Sequence, residues 1–535
     1  MSGRAHTMTR VTRTDELRVR LLGPRAVGSG ATERSRAYRL VGWLGPLTFA
    51  VIGGILRFWS LGRPERLMFD ETYYVKQGMS MLRFGVEMNI RDGLEEPDEL
   101  WNAGNQDVWG TTGDFVVHPP VGKWVIGLGQ SLFDPTNPFG WRFSMALLGT
   151  LSILMVGRAA LRLFHSPFLA TVAAFLLAFE GHHFAHSRIG LLDLTVMFFA
   201  LAAFCALLID RDRSRGILAR KVGVLPAGEG VRYGPWLGWR PWRWVAGVML
   251  GLCVGTKWSG LYVLAVFGLM TVLWDVGARR AAGVERWLVS GLFKDGPFAF
   301  LAMVGTALVT YLVSWTGWFR SDVGYDRHWA QDNPSESFGW IPDSLRSLWE
   351  YHRAAYAFHV GLDSEHPYMA NPWSWLVQGR PTSFFYESPE GGVCGAERCS
   401  QAITSLGTVP IWWLATIALV FLAYHWALRR DWRAGAILSG FVAMYLPWFF
   451  YQERTIYGFY AVSFVPFVVL AATFLLGLVL GRDGDPFWRR QTGLLAVGLF
   501  CIVVLLFFAF FWPVWTAQVI PYAEWRWRMW FPSWI

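Results

Sequence analysis

Charge is scarce in this chain of 535 residues. Asp, Glu, Lys and Arg together make up 16 % of it, where a soluble domain carries about 25 %. Lysine is scarcest: Lys76, Lys123, Lys221, Lys257 and Lys294 are the only five among 48 basic residues. This shortage excludes a soluble enzyme, a highly charged disordered chain and a nucleic-acid module, so no nucleic-acid partner is expected. Cysteine is also sparse, at five residues. Cys205, Cys253 and Cys501 fall in apolar runs and read as small packing residues. Cys394 and Cys399 share one polar loop, where a small disulfide is expected if that loop faces an oxidising compartment. No cleavable signal pattern opens the chain. No internal repeat or inverted symmetry runs through it, which weighs against a transporter built from paired halves.

What the sequence does have is apolar residues, 53 % of the total, with a mean hydropathy of +0.31. A bilayer core needs about 20 residues of apolar helix. Eleven segments qualify: 40–61, 142–161, 167–184, 189–209, 244–258, 260–276, 297–318, 409–428, 434–451, 457–480 and 493–512. The stretch 121–133 is too short and Gly-rich, and reads as an interfacial or re-entrant helix. Residues 1–39 carry nine Arg and almost no apolar run. They are expected to form a basic, disordered cytoplasmic extension, with 40–535 as the membrane domain.

The net charge of +9 is unevenly placed. If the N-terminus is inside and the spans alternate, inside segments hold 29 of the 48 Lys and Arg, as the positive-inside rule requires. The C-terminus is then outside. Two outer loops, 62–141 and 319–408, are too long to be mere connectors. Eight of the eleven His fall on that side. The expected fold is an all-α polytopic membrane protein whose site lies on the two outer loops.

The first loop opens with Phe69-Asp70-Glu71-Thr72-Tyr73-Tyr74. The acid pair starts an apparent amphipathic helix, where it can complement the helix dipole or carry chemistry. Next comes Val117-His118-Pro119-Pro120-Val121-Gly122-Lys123. Its prolines set a rigid helix start, and Lys123 there either snorkels or awaits an anion. Arg142, Arg188, Lys257 and Arg454 recur at the outer ends of spans, with Asp193 near Arg188. Singly each reads as an interfacial anchor. As a set at one depth, they suit the phosphate of a lipid-linked substrate. His182, His183 and His186 mimic a metal spacing, but imidazoles satisfied by backbone or water are the simpler reading. The second loop adds His359, His366 and a dense set of Tyr and Trp. These suit an interfacial belt or a floor for sugar and peptide.

Taken in order, these pieces resemble the protein O-mannosyltransferase family, polytopic glycosyltransferases of the GT-C class. The carriers are Phe69-Asp70-Glu71, His118 through Lys123, Arg142, Ser187-Arg188 with Leu191-Leu192-Asp193, and Lys257-Trp258. Phe358-His359, His366-Pro367-Tyr368 and Tyr451-Gln452-Glu453-Arg454-Thr455 with Phe459-Tyr460 complete the set. The resemblance spans about residues 40–530 and points to actinobacterial-type members. Eukaryotic members carry β-trefoil MIR domains in the second loop, which is too short here to hold them.

The resemblance implies transfer of mannose, with inversion, from a polyprenyl-phosphate-mannose lipid to Ser or Thr of a secreted polypeptide. The site would face outward at a bacterial plasma membrane, with membrane lipid around it and the secretion translocon as a further partner. Asp70 matches the acidic catalytic position and would take the hydroxyl proton. Glu71 would orient the acceptor or hold Asp70 and nearby arginines. Lys123, Arg142, Lys257 and Arg454 would stabilise the leaving phosphate, with His118, Arg188, Asp193, His359 and His366 completing the substrate site. No tightly bound cofactor is expected. A divalent ion beside Asp70 and Glu71 is the alternative, although no full ligand set assembles. The main competing function is a related transferase with a lipid or polysaccharide acceptor; a transporter comes after it.

Overall fold

The computed structural model describes residues 12–23, 33–225, 231–482 and 484–535. Thr12 caps α1 (Arg13–Leu22) in a capping box with Asp15. Leu17 and Leu21 bury against Leu218, Val222 and Ala278. The disorder expected of residues 1–39 therefore fails over Arg13–Leu22, because an apolar pair at i, i+4 gives this short helix a face to bury. Residues 1–11 and 24–32 of that segment lie outside the described residues.

The apolar α2 (Glu33–Phe58) leads into the first loop, with α3 (Glu71–Phe84), α4 (Pro97–Asn102) and α5 (Val121–Leu132). Strands β1 (Met88–Ile90) and β2 (Trp109–Gly113) pair antiparallel beside them. The expected re-entrant segment is α5. It lies tightly against α3, for a Cβ at Gly127 would meet the Gly78 carbonyl at 2.8 Å. Next follow α6 (Pro138–Phe164), α7 (Pro167–Ala178), α8 (Gly181–His186), α9 (Asp193–Gly223), α10 (Pro241–Val254) and α11 (Gly260–Ala281). A continuous helix from Trp287 to Ser314 contains α12 (Trp287–Ser290), α13 (Gly296–Phe300) and α14 (Thr306–Ser314), joined by two π turns.

The second loop holds α15 (Thr316–Arg320), α16 (Trp329–Asp332), α17 (Asp343–Gly361) and the hairpin β3 (Thr382–Glu387) and β4 (Cys399–Ser405). The chain closes with α18 (Val409–Ala427), α19 (Trp432–Met444), α20 (Val465–Leu480), α21 (Phe487–Phe511) and α22 (Tyr522–Arg528). Strand β5 (Ile520–Pro521) adds to β4. The protein is thus mostly helical, as expected, with small antiparallel sheets added at its two loops.

Among the described residues, nine helices are long and apolar enough to cross a membrane, against eleven expected. The two that fall short are α7, of 12 residues, and α10, of 14. Both stop where polar chain takes over. Glu180 caps α8 just after α7, and the turn holding Lys257 follows α10. The core lies between α6, α7, α9 and α20, where every residue from Val465 to Leu476 is buried. At the end of the bundle away from the loops, Arg240 joins Asp210 and Asp275 at 2.5 and 2.7 Å and Arg243 joins Asp275 at 2.7 Å. These pairs tie α9, α10 and α11 together. Cys394 and Cys399 form a disulfide at the tip of the β3–β4 hairpin.

Candidate active site

Phe69 adopts a left-handed backbone, φ +50°, which turns the chain sharply ahead of α3. Asp70 occupies the N-cap position of α3, yet its side chain makes no capping bond. Among the described residues no hydrogen bond or ion pair holds its carboxylate. Burial pushes this carboxyl up to about 6, against the pull of Lys257 and with the repulsion of Asp193.

Glu71, one residue on, is spent differently. Its carboxylate accepts from Arg142 Nε at 2.9 Å and Nη2 at 2.8 Å. It also accepts from the backbone N–H of Met68 at 3.2 Å and of Gly190 at 2.7 Å. Arg142 gives its remaining N–H groups to the carbonyls of Leu61, Pro64 and Arg66 at 3.4, 2.9 and 2.8 Å. Glu71 and Arg142 are both fully buried. The acid pair therefore does not act as a unit: Asp70 is free and Glu71 anchors the loop. The Glu71 oxygens are taken up by Arg142 and two backbone N–H groups, so these residues do not fit a metal held by Asp70 and Glu71 together.

Three of the five expected phosphate cations are consumed in the same way. Arg142 is one. Lys123 is buried, paired with Glu87 at 2.5 Å and donating to the His118 carbonyl at 2.7 Å. Arg188 donates to the carbonyls of Leu56, Arg57, Trp59 and Ser60. It satisfies the end of α2, whose last carbonyls have no partner in the helix.

The other two cations stay at the site. Lys257 lies in the turn between α10 and α11 and donates to Asp193, the first residue of α9, at 2.8 and 3.0 Å. Its Nζ stands 5.4 Å from the Tyr460 ring centroid. Arg454 follows α19. No carboxylate pairs with it among the described residues, and its Nε is buried without a partner. Its charge reaches His118, His359 and Tyr460.

His118 and His359 stack with ring centroids 4.9 Å apart, and Tyr74 lies 6.3 Å from His118. His359 Nε2–H donates to the Val117 carbonyl at 3.0 Å. Burial, then the neighbouring cations, hold His118 well below its ordinary value; burial with Arg454 and Lys257 brings His359 to about 4. Both rings are neutral near pH 7 and can present nitrogen lone pairs or N–H groups. His366 lies further out. Its Nδ1 accepts from Tyr368 N–H at 3.1 Å, and its ring meets Tyr457 at 5.2 Å.

The structure thus brings together Asp70, His118, Asp193, Lys257, His359 and Arg454. It sets Glu71, Lys123, Arg142 and Arg188 behind them as supports and leaves His366 at the rim. Tyr74, Glu87 and Tyr460 went unselected in the sequence. Tyr74 and Tyr460 sit inside the motifs already picked out; Glu87 carried no signal. The His182, His183 and His186 group finds protein partners: His183 bridges Arg57 and Ser152 at 2.7 and 2.8 Å, His182 donates to the Phe459 carbonyl, and His186 meets Ser405.

Residues 47–279 match the family model described as dolichyl-phosphate-mannose-protein mannosyltransferase, and residues 344–534 match the C-terminal four-helix transmembrane region of protein-O-mannosyltransferase. The chain is 36 % identical over 505 residues to the polyprenol-phosphate-mannose–protein mannosyltransferase of Mycolicibacterium smegmatis, covering 93 % of each. It is 33 % identical over 475 residues to the Corynebacterium glutamicum protein of the same name, covering 87 % of this chain and 88 % of that one. A chain of the Saccharomyces cerevisiae Pmt1-Pmt2 complex shares its fold, with a TM-score of 0.66, 14 % identity and 93 % of each chain covered.

Proposed function

We propose, from the premise that this chain belongs to the protein O-mannosyltransferase family, that it moves mannose from a polyprenyl-phosphate-mannose lipid to Ser or Thr of a polypeptide. The observation that carries the mechanism is a half-buried carboxylate, Asp70, with no hydrogen-bond or ion-pair partner among the described residues, beside two cations, Lys257 and Arg454. As general base, Asp70 takes the proton of the acceptor hydroxyl. The hydroxyl oxygen bonds to the anomeric carbon as the bond from that carbon to the phosphate oxygen breaks. Attack opposite the leaving group inverts the sugar. The bonding electrons leave with the polyprenyl phosphate, whose added charge Arg454 and Lys257 stabilise. Asp193 holds Lys257 in place. Neutral His118 and His359 line the sugar or phosphate with hydrogen-bonding groups.

In this reading the two loops face outward from a bacterial plasma membrane and residues 40–535 form the catalytic domain. The lipid donor arrives sideways from the bilayer. The acceptor is an unfolded secreted chain, for which the secretion translocon is the natural source. The test is mannose transfer from a polyprenyl-phosphate-mannose donor to a Ser/Thr-rich peptide, in membranes bearing wild type or Asp70→Asn. The variant is expected to lose about 10²-fold or more, the scale of a missing general base. A variant as active as wild type removes Asp70 from the role. A folded wild type that glycosylates a lipid or polysaccharide but no peptide replaces the acceptor.

A further inference from the structure

Helix α17 (Asp343–Gly361) has two apolar faces, one more than a loop helix docked on a protein needs. Its inner face packs at the level where the long apolar helices end. His352 stacks on Trp258 with centroids 5.3 Å apart and hydrogen-bonds Tyr311 of α14; Tyr351 meets Trp315 at 5.1 Å. From the same face His359 stacks on His118 at the candidate site. On the outer face Leu345, Trp349, Tyr356 and Val360 lie within an arc of about 60° at helical spacing. These four are exposed, Trp349 by 74 % and Tyr356 by 58 %. Trp340, 80 % exposed, extends the stripe just ahead of the helix. The stripe is flanked by the Arg353–Glu350 ion pair, which gives it a polar border.

We propose that α17 lies in the headgroup–acyl boundary of the bilayer, binding lipid through the Leu345–Trp349–Tyr356–Val360 stripe, and that from there it holds His359 over the site as its membrane-side cover. The depth of the helix selects the bilayer over a polypeptide as the partner. It rests on Trp258, Tyr311 and Trp315, at the ends of helices that cross the membrane, and α14 itself exposes Leu308, Val309 and Val313. Trp and Tyr are the residues favoured at that depth, where one edge of the ring is wet. An Arg beside the stripe can keep its head in water while its stem lies on lipid. A lipid-linked donor coming from the bilayer then passes α17 to reach Asp70.

The covering role rests on the transferase reading above; the lipid contact does not, and the two are tested apart. An environment-sensitive fluorophore is attached at Trp349→Cys, with Cys205 and Cys501 replaced by alanine, in phosphatidylcholine–phosphatidylglycerol nanodiscs. The same label at Glu95→Cys, on an exposed turn of the first loop, serves as the water-facing reference. A shallow spin-labelled lipid is expected to quench the label at 349 at least twofold, while iodide quenches only the label at 95. Iodide quenching at 349 without lipid quenching would overturn the proposal. Shielding that appears only when a Ser/Thr-rich peptide is added would make the partner a polypeptide, and would overturn it too. In transfer assays, Trp349→Gln with Tyr356→Gln is expected to raise KM for the lipid donor about tenfold and leave KM for the peptide unchanged. Lipid quenching with unchanged donor KM would remove the covering role. Absence of any transfer by the wild type would count against the transferase reading alone.

Discussion

The carboxylate of Glu71 is clamped by the guanidinium of Arg142 through two parallel bonds of 2.9 and 2.8 Å, both groups fully buried. Such a pair is expensive to break from one side, because the survivor is left as a bare buried charge. Arg142→Gln is therefore expected to lower folding stability by about 3–5 kcal/mol, measured as thermal unfolding in detergent. Activity should fall with the amount of folded protein. Removing both charges, as Glu71→Met with Arg142→Met, should restore more stability than either single change leaves. An Arg142→Gln protein with wild-type stability and a large loss of turnover would instead place Arg142 in the chemistry.

Asp70 sets a pH dependence whose sign follows from its environment. Burial raises this carboxyl to about 6, so the basic form accumulates as pH rises through 6. The rate should climb about tenfold per pH unit below 6 and level off above it. Stability runs the other way. The folded state favours the protonated group, so its contribution is complete below about 4, the unfolded value, and is lost as pH rises through 6. Allowing for partial exposure, that loss is about 2 kcal/mol. Asp70→Asn is thus expected to be inactive, and more heat-resistant than wild type at pH 7. A profile without an acid limb near 6 contradicts the assignment.

Arg454 and Arg188 are a matched pair of arginines with opposite expectations. Arg454, beside the site, has no carboxylate partner among the described residues and an unpartnered Nε, whereas Arg188 spends its guanidinium on the carbonyls that end α2. Charge-assisted hydrogen bonds contribute about 1.5–3 kcal/mol each. Arg454→Gln should raise KM for the phosphate-bearing donor about 10- to 100-fold and leave the melting temperature in place. Arg188→Gln should lower the melting temperature while the folded fraction keeps its KM. Kinetics and thermal unfolding on the same two preparations decide it.

The sequence was most legible where hydropathy and order carried the signal. Long apolar runs located nine of the eleven expected spans, Asp70 stood out in the acid pair that opens the first loop, and Lys257 and Arg454 stood out among the cations at the outer ends of spans. The division of labour among the cations was not legible, because it depends on chain segments distant in sequence. Lys123 meets Glu87 across a turn and sheet edge, and Arg142 meets Glu71 from 71 residues away. Hydropathy also could not shorten α7 and α10, since Phe179, Phe184 and Trp258 recur among the polar residues beyond their ends and keep the apolar runs long. The helix α1 was hidden by its own arginines: Leu17 and Leu21, with Leu22 beside them, make it a packing element.

The Cys394–Cys399 bond supplies a test of orientation that needs no substrate. Disulfides persist in oxidising compartments and are removed by cytosolic reductants. If the second loop faces outward, protein trapped directly from cells should release two further reactive thiols after reduction. Those two should be Cys394 and Cys399, since Cys205, Cys253 and Cys501 carry free thiols already. Cys394→Ser leaves Cys399 alone, and reducing any mixed disulfide frees it for modification. A membrane-impermeant maleimide should then label Cys399 on intact spheroplasts. Because the hairpin tip lies in the same loop as α17, labelling from outside would also place His359 and the site it covers on that side. Labelling seen only after permeabilisation would turn the whole bundle over. The lipid donor would then have to present its mannose to the cytoplasm, where a secreted chain has not yet crossed.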